Sequence, residues 1–292
     1  RGSRSHVGSK PIFPLPAMSA QQLIPIQDRS QVGNARRVAS QLAASLQFDE
    51  TRVGQVALVV TEAATNIIKH AGHGCVLLRA TNVRATPTIE VLALDRGRGI
   101  KNISASLRDG HSTAGSLGSG LGALQRLSDT FDIYTQPDQG TVLRLELLAR
   151  RTPPAATSFE MGSVTVAKSG ETVSGDAWAI ECTKRHLTVL MADGLGHGPE
   201  AARAAQAAVR ALHAHADYPL PDLLDVCHRD LRATRGAAVA MARLDPYNQS
   251  GQFAAVGNIV ARVEDHSSRR SLVSHNGIVG HTLRKVQQFD FA

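Results

Sequence analysis

The chain has 292 residues, 42% hydrophobic and 20% charged, with a formal net charge of +7. That apolar content supplies one large core or two ordinary ones, and no apolar run approaches the roughly 18 residues of a membrane span. Neither half carries a long basic run, and three cysteines, Cys75, Cys182 and Cys227, lie far apart. A nucleic-acid or membrane partner is therefore not expected, and the cysteines fit small core residues in a reducing cytoplasm.

The opening RGSRSHVGSKPIFPLPA, residues 1–17, reads as vector-derived sequence ahead of Met18. Ser30 then caps a predicted helix with apolar positions at Val32, Ala35, Ala39, Leu42 and Leu46. Asp49 caps a second, whose stripe is Val56, Val59, Val60, Ala63 and Ile67 and whose stop is Gly72. Strands are predicted over 74–82 and 88–95, a Gly/Ser-rich segment over 97–120, a short helix over 120–129, and a hairpin turning at Asp138–Gly140. The sum is helices on one face of a mixed sheet.

The Pro/Ala/Thr stretch after Leu147 marks a linker at 151–158, separating a domain over 18–150 from one over 159–292. In the second, strands are predicted at 161–168, 173–181 and 186–193, helices at 198–216 and 221–234, and strands at 236–244, 251–263 and 271–276. Both halves read as α+β.

Three polar groupings interrupt the first half. Glu62, Asn66 and His70 are spaced by four and share a helical face beside the apolar stripe. An Asn amide oxygen suits Mg²⁺, and a Glu one turn away can accept a proton; alone, the row also reads as a solvated face. In VLALDRGRGI an apolar strand ends in Asp95, followed by Gly97 and Gly99. A carboxylate there can accept from an exocyclic amine, and glycines let a backbone approach a ligand, although Asp-x-Gly also marks ordinary turns. In GSLGSGLGALQRL, glycines lead straight into a helix start, where free N–H groups suit phosphate, without a Walker A ending.

In that order the three motifs resemble the GHKL ATPase/kinase superfamily with its Bergerat fold. Residues 18–150 are most similar to the serine kinases and anti-sigma factors of bacterial stress and sporulation switches, the RsbT type. The resemblance implies bound ATP, with Asn66 holding Mg²⁺, Glu62 acting as the base or positioning it, and Asp95 reading the adenine amine. The resemblance also places Gly97 and Gly99 along the base pocket, Gly118, Gly120, Leu121 and Gly122 over the phosphates, and an ATP lid at 101–117.

In the second half, TVSGDAWAI and LTVLMADGLGHG each run an apolar strand into an aspartate, Asp176 and Asp193. Two strand-end carboxylates brought together can hold divalent cations that activate water; on spacing alone they are also ordinary turns. The SGD and ADGLGHG segments before an Ala-rich helix resemble the metal-dependent protein phosphatase (PPM) family, in its SpoIIE/RsbX branch. That implies an α-β-β-α sandwich and Mn²⁺ or Mg²⁺ on Asp176, Asp193 and the Gly194 carbonyl; His197 reads as a loop histidine. The family's further Asp-Gly is not found before the chain stops at QQFDFA, so the phosphatase half is expected to be C-terminally incomplete and its metal binding weakened.

The implied function is a cytoplasmic partner-switching regulator. A serine kinase module acts on a STAS-domain, anti-anti-sigma-like protein and is joined to a STAS-phosphoprotein phosphatase module. The alternative is an ATP-dependent module that captures a STAS protein or a sigma factor with little catalysis.

Overall fold

The computed structural model describes residues 21–83, 86–107, 120–150, 161–183, 185–265, 267–284 and 286–291. They fall into two compact units, 21–150 and 161–291, each taken by itself.

In the amino-terminal unit, strand β1 (Gln22–Ile26) precedes helices α1 (Arg29–Ser45) and α2 (Glu50–Ala71). Strands β2 (Gly74–Val83) and β3 (Thr86–Asp95), helices α3 (Ile103–Leu107) and α4 (Leu121–Leu127), and strands β4 (Thr130–Gln136) and β5 (Gly140–Leu148) follow. The sheet runs β1-β2-β3-β5-β4. Every ladder is antiparallel, so the expected mixed sheet is corrected. Alternation sends Ile89, Val91, Ala93, Leu143, Leu145 and Leu147 to one face, where they meet Val56, Val59, Val60, Ala63 and Ile67 of α2 and Leu124 of α4 in one core.

The cap of α1 is Asp28, not Ser30. Asp28 Oδ1 accepts from Ser30 N (2.7 Å) and Gln31 N (3.3 Å), while Gln31 Oε1 accepts from Asp28 N (3.2 Å). This is a reciprocal capping box in which Ser30 already belongs to the first turn. Asp49 caps α2 through Arg52 N (2.8 Å), and Gly72, at φ +78°, ends it. Arg52 then ties the start of α2 to the sheet: its Nε donates to Leu148 O (2.9 Å) and its Nη2 pairs with Asp129.

The carboxyl-terminal unit carries strands β6 (Asp176–Cys182) and β7 (Leu187–Gly194), helices α5 (Gly198–Ala214) and α6 (Leu220–Asp230), and strands β8 (Ala237–Asp245), β9 (Ser250–Val256), β10 (Ala261–Glu264), β11 (Arg269–Leu272) and β12 (Phe289–Phe291). A five-stranded sheet runs β12-β9-β8-β7-β6, and β10–β11 form a separate two-stranded sheet. Alanines 201, 204, 205, 208 and 211 bury one side of α5. Their size brings the helix so close that a Cβ on Gly194 would sit 2.0 Å from Ala201 O. Leu212, Leu220, Leu223 and Leu224, all fully buried, each add about 1.5–3 kcal/mol to that core. The opposite face packs Ala240, Phe253 and Ala255 against Ile259, Ala261 and Leu272, so the hairpin forms a small second layer.

The strand expected at 161–168 is not among the described strands. The segment alternates but joins no ladder with a described strand, and Val164 and Val166 are exposed. The predicted strand at 251–263 is two elements, β9 and β10, separated by a bend.

Candidate functional site

The polar row of α2 lies where the spacing places it. Glu62 and Asn66 are half-buried and His70 is exposed, alongside buried Val59, Ala63 and Ile67. The side chains of Glu62 and Asn66 make no hydrogen bond or ion pair with a described residue. Two polar groups at the margin of an apolar core, uncompensated from within, are left to water or to a bound group.

Asp95 ends β3 on the helix-facing side, continuing the Val91, Ala93 alternation just beyond the core. Its Oδ1 accepts from Gly97 N at 2.8 Å. The chain then presses against the last turn of α2: a Cβ on Gly97 would meet Ala71 Cβ at 2.8 Å and His70 O at 2.9 Å. Gly99, at φ +64°, leaves a Cβ position only 2.2 Å from Gln136 O. These two glycines are thus demanded by protein packing, between the end of α2 and β4. That is a different origin from the ligand approach suggested by sequence.

The register adds two hydroxyls that sequence reasoning missed. Asp95 pairs with Thr141, and Thr141 with Thr135. Thr135 Oγ1 lies 3.2 Å from Thr141 Oγ1 and accepts from Ile100 N at 2.9 Å. The available signal was QGTV, a threonine placed just after a turn glycine. Gly140 (φ +105°) lets that turn close, since a Cβ there would lie 2.0 Å from Asp95 O. A carboxylate and two hydroxyls therefore line the sheet rim facing the carboxyl half of α2, a set suited to the polar edge of a planar base.

Gly120 begins α4 without a capping side chain, and a Cβ on it would meet nothing within 4 Å. Gly122 is buried and Leu121 packs against the core. Gly118 and most of the expected lid lie outside the described residues; 103–107 of that segment form α3.

In the carboxyl-terminal unit Asp176 and Asp193 are direct cross-strand partners, and both are exposed. Partial burial, then the facing Asp176 charge, pushes the Asp193 carboxyl above its ordinary range. Such a pair favours a cation between its members. Gly194 N donates to Gly175 O at 3.1 Å. Among the described residues no group of three or more His, Cys, Asp or Glu side chains gathers in metal-binding geometry, so the two carboxylates fit a cation as a partial ligand set. His197 Nδ1 lies 2.5 Å from Glu171 Oε1, at the start of α5. Cys227 is a core residue whose thiol is pushed up to about 12 by burial. Among the described residues no helix is long and apolar enough to cross a membrane.

Residues 26–147 match the model of the histidine kinase-like ATPase domain. Over 127 residues the chain is 29% identical to the serine/threonine-protein kinase RsbT of Bacillus subtilis (strain 168), covering 44% of this chain and 96% of RsbT. It is 32% identical to a solved chain of the bacterial stressosome, covering 44% of this chain and 67% of that one, with a TM-score of 0.42. A crystal structure of RsbX in complex with magnesium is 19% identical over 43% of this chain and 64% of its own, with a TM-score of 0.41. The amino-terminal unit of this chain is thus similar, over residues 26–147, to the histidine kinase-like ATPase domain, and to the kinase RsbT over nearly all of that protein's length.

Proposed function

We propose that the amino-terminal unit binds Mg-ATP and phosphorylates a serine on a STAS-domain, anti-anti-sigma-like partner, and that the carboxyl-terminal unit acts on the phosphorylated form of such a protein. The observation that carries the first part is the half-buried pair Glu62 and Asn66, unpartnered by described residues, opposite a rim of Asp95, Thr135 and Thr141. The resemblance to a kinase named for serine/threonine phosphorylation points the same way.

In this reading Asp95 accepts from the adenine amine, and Asn66 supplies a hard oxygen to Mg²⁺. Gly118, Gly120, Leu121 and Gly122 lie over the phosphates. Glu62 takes the proton of the serine hydroxyl as its oxygen bonds to the γ-phosphorus and the β–γ bridging bond breaks, releasing ADP. Gly97 and Gly99 hold the chain beside the base rather than making room for it. In the second unit Asp176, Asp193 and the Gly194 carbonyl hold Mn²⁺ or Mg²⁺, which supplies an activated water when bound. With two carboxylates among the described residues, weak phosphatase turnover is expected.

The test is incubation with Mg-ATP and a STAS-domain protein, followed by mass analysis. Wild type should add one phosphoryl group to a serine. Glu62→Ala should lower the rate about 100-fold or more, the scale of a general base, while its calorimetric ATP affinity stays within about threefold. No ATP binding by the folded protein overturns the reading. ATP-dependent capture of a STAS protein or sigma factor without phosphoserine makes the unit a binding module instead.

A further inference from the structure

The loop that follows Asp193 carries a cation that the phosphatase reading has not used. Arg235 sits two residues before Ala237, the register partner of Gly194, and so at the same end of the sheet as Asp176 and Asp193. Its Nη1 lies 3.0 Å from the position a Cβ would take on Gly196 (φ +95°), so the guanidinium rests on the loop that Asp193 begins.

The backbone beneath Arg235 is firmly held. Leu195 N donates to Gly236 O at 2.9 Å, and Gly236 N donates to Thr234 Oγ1 at 3.0 Å. Gly236, at φ +76°, is enclosed by Ile278 and His281, whose side chains come within 2.7 Å of a would-be Cβ. The neighbouring basic side chains are already engaged: His197 with Glu171, and Arg203, which reaches Ala233 O of the same turn, with Glu200 at 3.0 Å. Arg235 makes no hydrogen bond or ion pair with a described residue. An exposed arginine at the same sheet end as two carboxylates, and paired with neither, leaves its rigid donor fork for a third, anionic group.

We propose that Arg235 grips the phosphoryl oxygens of the phosphomonoester that the carboxyl-terminal unit takes as substrate. The inference rests on the phosphatase reading of that unit: the phosphoryl group lies between a cation held by Asp176 and Asp193 and the Arg235 guanidinium. Phosphate recognition then comes from the turn before β8, and the strand-end aspartates recognise metal alone.

The experiment is calorimetric titration of the full chain with inorganic phosphate, with and without Mn²⁺, together with a separate Mn²⁺ titration. Arg235→Gln should weaken phosphate binding at least tenfold and Arg235→Lys by less. Both variants should keep Mn²⁺ affinity within about twofold and an unchanged melting temperature, which a merely structural arginine would not allow. Equal phosphate affinity in wild type and Arg235→Gln overturns the proposal, as does wild type that binds no phosphate in either condition. Failure of the metal reading shows separately, as wild type that takes up no Mn²⁺, and the metal-free phosphate titration still decides the role of Arg235.

Discussion

The two units treat buried and partly buried charge in opposite ways. On the amino-terminal sheet the buried charges Arg79, Glu90 and Glu146 each have a counter-charge. Arg79 Nη2 lies 2.7 Å from Glu90 Oε1, and Arg144 reaches Glu90 (3.3 Å), Asp132 (2.9 Å) and Glu146. On the carboxyl-terminal sheet, Asp176 and Asp193 face each other with no described cation paired to either. The first arrangement is complete as folded, and the polar candidates of that unit, Glu62 and Asn66, take no part in its ion pairs. The second stores a repulsion that only a proton or a bound cation relieves. In one unit the candidate site is added to a settled framework; in the other the candidate site is itself a local destabilisation.

The sharpest way to break that contrast is to remove a compensated charge. Arg52 and Asp129 have side chains only 9% and 12% exposed, and Arg52 also serves Leu148 O, whose own N–H donates to Asp129 Oδ2 at 2.8 Å. Arg52→Ala leaves a buried carboxylate and an orphaned carbonyl, which should cost about 3–5 kcal/mol. Urea unfolding followed by circular dichroism should show the loss. The single tryptophan, Trp178, lies on β6, so its fluorescence reports the other unit and its midpoint should stay put. A penalty below about 1 kcal/mol would mean that the amino-terminal pairing contributes little.

How far sequence foretold this structure depends on the range of the signal. The polar row of α2 was legible because four-residue spacing on a helix is a local fact, and Asp49, Gly72 and the turn before Thr141 were legible as local chemistry. β1 was missed because Pro25 interrupts its run; among the described strands it is an edge that pairs only with β2, and there a missing N–H is tolerated. The alternating 161–168 segment joins no ladder with a described strand; alternation marks a face, not a pairing partner. Thr135 and Thr141 could not be placed beside Asp95 until the register was known, nor could Asp176 be set opposite Asp193. The glycines at 97, 99 and 194 were visible, but their reason was not: Ala71, Gln136 and Ala201 crowd them from distant parts of the chain.

The carboxylate pair offers a smaller, opposite-signed test. Because Asp193 holds its proton more tightly folded than unfolded, metal-free stability should decline as pH rises from the ordinary carboxylate value of 3.8 through the raised one. The penalty then persists at pH 7. Asp193→Asn should therefore raise the melting temperature of the metal-free protein at pH 7, by an amount below about 1 kcal/mol because the group is solvent-screened. The same variant should lose the stabilisation that Mn²⁺ gives wild type. A lower melting temperature without metal would show that the pair is not repulsive.

The smallest effect belongs to His186, in the turn between β6 and β7. Burial, foremost, and the Arg243 charge hold its imidazole below the ordinary 6.5, against the opposing pull of Ala216 O, 3.3 Å from Nε2, and the charges of Asp217 and Asp245. A histidine that resists protonation when folded gives stability that is present above the unfolded value of 6.5 and lost as pH falls below it through the lower folded value. Arg243 enforces the neutral form: it donates to the same carbonyl at 2.7 Å and to Thr188 Oγ1 at 2.9 Å, so a second cation there meets an occupied acceptor. Between pH 7.5 and 5.5 wild type should lose roughly a few tenths of a kcal/mol more than His186→Gln, after allowance for solvent screening. Urea midpoints read from Trp178 fluorescence at the two pH values measure the difference. Equal losses in the two proteins would assign the acid sensitivity of this unit to its carboxylates alone.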